Sequence, residues 1–188
     1  MIETNIHTRP GLPPEMQLLL ADYPREAWSD HPSFAQSTQN WLGAHQMFRQ
    51  LGAVVRELSE SYLSKERDPE DFANRLSYYG NALVANLHGH HTWEDRSFFP
   101  ELRTADQRFE HGLEMLEADH TVLDATIDTL TTVSNRTLKL LQLDENQARD
   151  EAGKLQKSAQ DIQKFLARHL ADEEDLIVPI ILHHRLRG

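Results

Sequence analysis

From Gln36 onward, apolar residues recur every three, four or seven positions. Trp41, Phe48, Leu51, Val55, Leu58 and Tyr62 share one broad helical face and predict a first helix over 36–64. The stretch "RDPED" then supplies a start signal, with Asp68 as N-cap, Pro69 at the first helical position and acidic residues in the first turn. A second helix is expected over 69–99, stopped near Pro100 because proline removes a donor and crowds the preceding turn. Phe109, Leu113, Leu116, Leu123, Ile127 and Leu130 carry a third stripe over 106–133 or beyond. Leu155, Ile162, Phe165, Leu166, Leu170 and Ile177 carry a fourth over 146–178, with Pro179 marking its far end.

No period-2 alternation bounded by hairpin turns accompanies these stripes. Four long amphipathic helices with short links predict an all-α fold, an up-down-up-down antiparallel four-helix bundle. Five of the eight prolines fall within the first 32 residues. Residues 1–35 are therefore expected to form an irregular N-terminal arm, with one short helix around "PPEMQLLLADY", and 36–188 the bundle.

Composition narrows the chemistry. The chain has 188 residues, 39% of them hydrophobic, which suits one domain with a real core. A formal net charge of -11, with no basic cluster longer than the tail "HHRLRG", argues against nucleic acid and anionic membranes as partners. No basic-then-apolar leader is visible, and no apolar run approaches the roughly 18 residues of a membrane span, so a cytoplasmic location is expected. With no cysteine, disulfides, thiolate nucleophiles and Cys-ligated metals are excluded, and any metal must be held by His, Asp and Glu.

Eleven histidines make that possibility concrete. The second helix carries His90 and Glu94, and the fourth carries His169 and Glu173, each pair at i and i+4 on one helical face. About one HxxxE pair would arise by chance in such a chain, so the spacing alone is weak. The context is stronger. Each pair has a leucine three residues before its histidine, Leu87 or Leu166, and a proline ten residues after it, Pro100 or Pro179. His45 and His120 lie singly within the apolar stripes of the other two helices, so the chain reads as two helix pairs of one type, each with a lone His and an HxxxE. Taken singly, a buried histidine is more often a hydrogen-bonded core residue and an HxxxE pair more often a surface pair. Taken jointly, on core-facing stripes of four helices, they favour a metal site. Imidazole with carboxylate suits iron, manganese or zinc, and bundle cores are where paired-metal carboxylate sites are built.

The stretches "HQMFRQL", "HHTWEDRSFFPEL", "ADHTVLDATI" and "HLADEEDLIVPIIL" resemble the hemerythrin-like family, the HHE cation-binding domains. That resemblance implies two iron ions with an oxo or hydroxo bridge, manganese or zinc being alternatives. It also implies terminal ligands His45, His90, His120 and His169 and bridging carboxylates Glu94 and Glu173. O2, peroxide or NO would be the small ligands, and a homodimer is compatible with the family. Oxygen-carrying hemerythrins have HxxxH on the third helix and HxxxxD on the fourth; here Leu116 precedes His120, Asp124 follows it, and the fourth helix has HxxxE. The pattern H, HxxxE, H, HxxxE is similar to proteins linked to peroxide, iron or oxygen sensing, and implies two metal positions more alike than in the carriers. Possible di-iron oxidoreductase or peroxide-decomposing activity stands beside two alternatives, a cation-binding or O2-carrying protein without turnover and a bundle locked structurally by metal.

Several neighbours carry weaker expectations. His91 points about 100 degrees from His90 on a helix and is weighed as ligand, ligand-orienting group or exposed residue. Asp124 is expected to be solvated or to orient His120, and Glu174 and Asp95 to face solvent or a neighbouring helix. His88, His111, His183 and His184 are expected at the surface, and Trp41, Phe48, Trp93, Phe98 and Phe99 as core and site wall.

Overall fold

The computed structural model describes residues 2–186; position 1 of the arm and positions 187–188 of the basic tail lie outside them. Five α-helices follow in order: α1 (Gln36–Leu63), α2 (Pro69–Trp93), α3 (Phe99–Ala105), α4 (Glu110–Leu141) and α5 (Glu145–His184). Short 3-10 turns occur at Pro14–Met16, Arg25–Ala27 and Gln107–Phe109, and no strand occurs among the described residues. The protein is an all-α helical bundle. No described helix is long and apolar enough to cross a membrane.

The start of α2 follows the side-chain chemistry read from the sequence, and α5 begins on a cap of the same kind. Asp68 accepts hydrogen bonds from the backbone of Glu70 at 2.9 Å and Asp71 at 3.1 Å, and Asp144 caps α5 in the same way through Asn146 at 3.0 Å and Gln147 at 3.2 Å. The helix ends depart from expectation at both prolines. The second helix does not stop near Pro100. Instead Glu94–Phe98 forms a π turn, in which Phe99 donates to the Glu94 carbonyl five residues back, and the chain continues directly into α3. The wider turn accommodates a residue that can neither donate nor fit against the fourth carbonyl before it. Nor does Pro179 end α5, which runs to His184 with the proline inside it. Leu176, Ile177, Val178, Ile180, Ile181 and Leu182 are all buried there. At about 1.5–3 kcal/mol each, their burial outweighs the roughly 3 kcal/mol cost of an interior proline. The third element also begins later than expected, as a 3-10 turn leading into α4 at Glu110, and extends to Leu141.

The chain divides into two compact units. The first comprises 1–46, 91–121 and 165–188, the second 47–90 and 122–164. In the first unit, Leu12, Met16, Leu19 and Trp28 from the segment before α1 join Trp41, Phe98, Phe99, Leu113, Leu176 and Ile180 in one apolar cluster. That segment is turn-rich, yet it is built into the core. The second unit buries Val55, Leu58, Tyr62, Phe72, Leu76, Leu83, Leu130 and Leu155, with Ala148, Ala152 and Ala159 among its small residues. Its α1–α2 hairpin is closed by Tyr62 stacked on Phe72, ring centres 4.4 Å apart, with Arg149 of α5 donating to the Tyr62 carbonyl at 3.0 Å. Lys65 takes the left-handed conformation (φ 62°) at the end of α1, and the Glu66 N–H returns to the Ser61 carbonyl, the bond pattern that terminates a helix cleanly.

Close approach of α4 and α5 in the first unit depends on Gly112. A Cβ there would lie 2.8 and 2.9 Å from the two methyl carbons of buried Leu176, which would have to shift within the core. Gly112→Ala is therefore expected to destabilise the protein by about 1–3 kcal/mol despite alanine's helix preference. Gly153→Ala, with nothing within 4 Å of the new carbon, should stabilise it by about 0.5–1 kcal/mol. Urea midpoints of the two variants measure both effects, and shifts of the same sign would contradict this packing.

Candidate metal centre

Several polar residues buried in the first unit fall on the helical faces that carry its apolar core. His45, Glu94, His120, His169 and Glu173 have at most 2% of their surface exposed. A helix places residues four apart on one face, so Glu173 follows His169 inward on α5, and Glu94 opens the π turn one helical turn after His90.

The potential ligands gather into two adjoining sets. One consists of His91, His120 and His169, with one ring nitrogen from each within 4.8 Å of the others. The rings of His91 and His120 stack at 4.3 Å, and His120 meets His169 at 4.9 Å. His45, Glu94 and Glu173 make the other set within the same distance, and His90 joins it from one turn before Glu94 on the same helix. The carboxylates reach both sets. Glu173 Oε2 lies 3.4 Å from His45 Nε2 and 3.8 Å from His169 Nε2, and Glu94 Oε2 lies 3.7 Å from His120 Nε2.

All six residues singled out in the sequence therefore belong to these sets, together with His91. The divergence of about 100 degrees between His90 and His91 would keep both from a single ion. With two sets side by side it sends one imidazole to each. The sets are consequently unequal, one with three imidazoles and one with two imidazoles and two carboxylates, in contrast to the similar positions implied by the sequence pattern.

Three histidines are held from behind by carboxylates. His45 Nδ1 bonds to Glu174 Oε1 at 3.0 Å, His120 Nδ1 to Asp95 Oδ1 at 2.7 Å and His169 Nδ1 to Asp119 Oδ2 at 3.1 Å. An ionised carboxylate can only accept, so each Nδ1 carries the proton and each Nε2 keeps its lone pair for the centre. Glu174 and Asp95 are thus supports for histidines, and Glu174 is nearly buried. Asp119 was not singled out in the sequence; its only local signal was its place directly before His120. Asp124 is exposed, 3.9 Å from His88, and contributes to neither set.

Burial governs the electrostatics of the centre. Burial, and then the nearby Glu94 charge, raise the Glu173 carboxyl well above the ordinary carboxylate range. Burial depresses the His169 imidazole to about 4 against the opposing pull of Asp119, so it is neutral at pH 7. His120 Nε2, His169 Nε2 and both Glu173 oxygens are buried without a hydrogen-bond partner. Native interiors leave few such atoms unmatched, and four aimed into one space fit cations. Five imidazoles and two carboxylates without a thiolate form a donor set suited to iron, manganese or zinc.

Aromatic side chains line the centre. Trp41 donates its indole N–H to Glu94 Oε1 at 2.7 Å and packs against His45, while Phe99 stacks on His120 at 5.5 Å and Phe165 lies beside His169 at 5.6 Å. His111 and His183 stand outside the sets. His111 is exposed beside Glu114, and His183 bonds the Tyr23 hydroxyl at 3.1 Å; His184 bonds Asp106 at 2.9 Å and is only partly exposed.

No curated protein and no solved structure matches the chain. A family model, described as the hemerythrin HHE cation-binding domain, matches residues 36–181, a span that runs from the first residue of α1 to Ile181 of α5 and contains every member of both ligand sets. The chain belongs to the hemerythrin HHE cation-binding domain family.

Proposed function

We propose that this protein is a non-haem di-iron protein whose centre engages O2 or peroxide, in sensing, scavenging or redox chemistry. The observation that carries the reading is the pair of adjoining His/carboxylate sets with two carboxylates in reach of both. His91, His120 and His169 would hold one ion, and His45 and His90 the other, with Glu94 and Glu173 shared between them. Bound iron would supply one-electron redox chemistry and exchangeable positions for a small ligand such as O2, peroxide or NO.

The chain's own groups prepare that chemistry. With both carboxylates shared, an ion at His45 and His90 would have one imidazole fewer than its neighbour and so one more exchangeable position for a small ligand. Trp41 fixes one Glu94 oxygen by hydrogen bonding, so that the other is left to face His120. The rings of Phe99, Phe165 and Trp41 exclude water, which strengthens every interaction inside and limits the escape of reactive oxygen species. The carboxylates behind His45, His120 and His169 fix ring orientation and raise donor strength.

Elemental analysis with optical spectra of aerobically and anaerobically purified protein should find two irons per chain and a charge-transfer band that depends on air. Glu173→Ala and Glu94→Ala should each lose metal, while His111→Ala should retain the full content. Equal metal in Glu173→Ala and wild type would remove the shared-carboxylate assignment, and a single spectroscopically silent zinc would remove the redox reading.

Metal uptake should also release protons. Glu173 holds its proton above the ordinary carboxylate range in the metal-free protein, and a ligating carboxylate must give it up. Apparent affinity should therefore rise with pH in the region above that range. Calorimetric titration with Fe(II) in buffers of different ionisation heats would reveal the released proton, and identical heats in all buffers would contradict it.

A further inference from the structure

We propose that the segment before α1 is part of the metal centre, with Arg9 and Arg25 as positioning residues that each fix, through a carboxylate, one histidine of a different ligand set. The inference rests on the reading that the two sets hold metal.

Arg9 is the stronger case. Its side chain is fully buried, and four of its contacts are hydrogen bonds to oxygen. Nη1 donates to Asp119 Oδ1 at 2.9 Å and to the Thr4 carbonyl at 2.8 Å, Nη2 donates to Asp119 Oδ2, and Nε donates to Asp172 Oδ2 at 2.7 Å. Removing a guanidinium from water is costly unless its donors are matched, and here the planar fork grips one carboxylate with two nitrogens and a second with the third. A segment that needed only anchorage could use apolar contacts, as Leu12, Met16 and Leu19 do. Arg9 instead falls on Asp119, whose Oδ2 also accepts from His169 Nδ1. One oxygen therefore serves both the arginine and the histidine. Fixing it fixes the imidazole plane and the direction of Nε2.

Arg25 repeats the arrangement for the other set. Its Nη1 donates to Glu174 Oε2 at 2.8 Å, Nε to Asp175 Oδ1 at 2.6 Å and Nη2 to the Ala171 carbonyl at 2.9 Å. Glu174 uses its second oxygen for His45 Nδ1. The sequence of contacts is the same, arginine to carboxylate to imidazole, but it ends on a histidine that stands with Glu94 and Glu173 rather than with His91 and His120. Arg25 is 43% exposed along its side chain, so solvent screens its charge and its effect should be the smaller.

Titration of the metal-free full chain with Co(II), followed by d–d absorption, tests the inference because each ion reports its own coordination. Wild type should bind two equivalents. Arg9→Met should weaken one of them by about 10–100-fold and change its bands, the scale expected when an outer partner of a ligating histidine is lost. Arg25→Met should perturb the other equivalent by a smaller factor, and Arg75→Met, at an exposed site in the second unit, should perturb neither. Asp119→Asn should reproduce the Arg9→Met effect, and the double variant should be no worse than Asp119→Asn alone. Should Arg9→Met not fold, Arg9→Lys decides: it keeps the charge but cannot grip two carboxylates, so an altered spectrum of one equivalent supports the proposal. Lower thermal stability of the metal-free variants with both Co(II) affinities and spectra unchanged would overturn it and leave Arg9 and Arg25 as structural anchors. Two equivalents in wild type with such unchanged variants would sink this inference alone, whereas no bound Co(II) in wild type would sink it together with the di-metal reading.

Discussion

Burying two glutamates side by side is the constraint on which the rest of the first unit depends. Glu94 and Glu173 are wholly removed from water, and an isolated carboxylate in such surroundings costs several kcal/mol. Imidazoles surround them, carboxylates stand behind three of those imidazoles, and arginines stand behind two of the carboxylates. Each layer makes the one inside it tolerable, and the innermost layer is completed by cations. Burial accordingly raises the Glu173 carboxyl well above the ordinary carboxylate range and lowers the His169 imidazole to about 4. Packing cooperates with charge. The apolar cluster of Leu12, Trp28, Trp41, Phe98 and Leu176 shares its elements with the ligands, so the same helices supply both the dry wall and the donors.

The helices themselves were legible because an amphipathic stripe repeats every three or four residues and the cap at Asp68 is local chemistry. The ligand pairs were legible for the same reason, since His90 and Glu94, or His169 and Glu173, share a face by spacing alone. Pro100 and Pro179 misled. A proline's cost is local and readable, but the burial that outweighs it, Ile180 to Leu182 in one case and Phe98 with Phe99 in the other, belongs to tertiary structure. His91 stayed one of several alternatives because helical spacing shows only that it diverges from His90, not that two further imidazoles lie on that side. Asp119, Glu174 and the two arginines were not readable as a group. Arg9 lies 110 residues from Asp119 and 163 from Asp172 in a segment without period, and nothing in local sequence connects them.

The two units differ in what their interiors contain. Among the described residues, the buried interior of the second unit is dominated by leucine, aromatic and alanine side chains, with scattered polar groups such as Ser59, Thr137, Glu151 and Ser158. Two of these hydroxyls, those of Ser59 and Thr137, are satisfied by the backbone carbonyl one turn before them. The first unit instead accumulates ionisable groups at nearly complete burial. Stability and chemistry are thus unevenly distributed along the same continuous helices, and substitutions such as Gly153→Ala can adjust the former at a distance in sequence from the latter.

The long separations in the outer layer also impose an order on assembly. Arg9 and Arg25 leave the ribosome well before their partners, Asp119 on α4 and Ala171 to Asp175 on α5, have been made. Contacts of such span close late, since the loop entropy must be met before they return anything. Until then the segment before α1 has no carboxylate to grip, and the histidines on α1 and α2 exist without their supports. Helix α5 delivers His169, Glu173 and Glu174 together with Asp172 and Asp175, so one stretch of synthesis completes both ligand sets and the carboxylates that the two arginines grip.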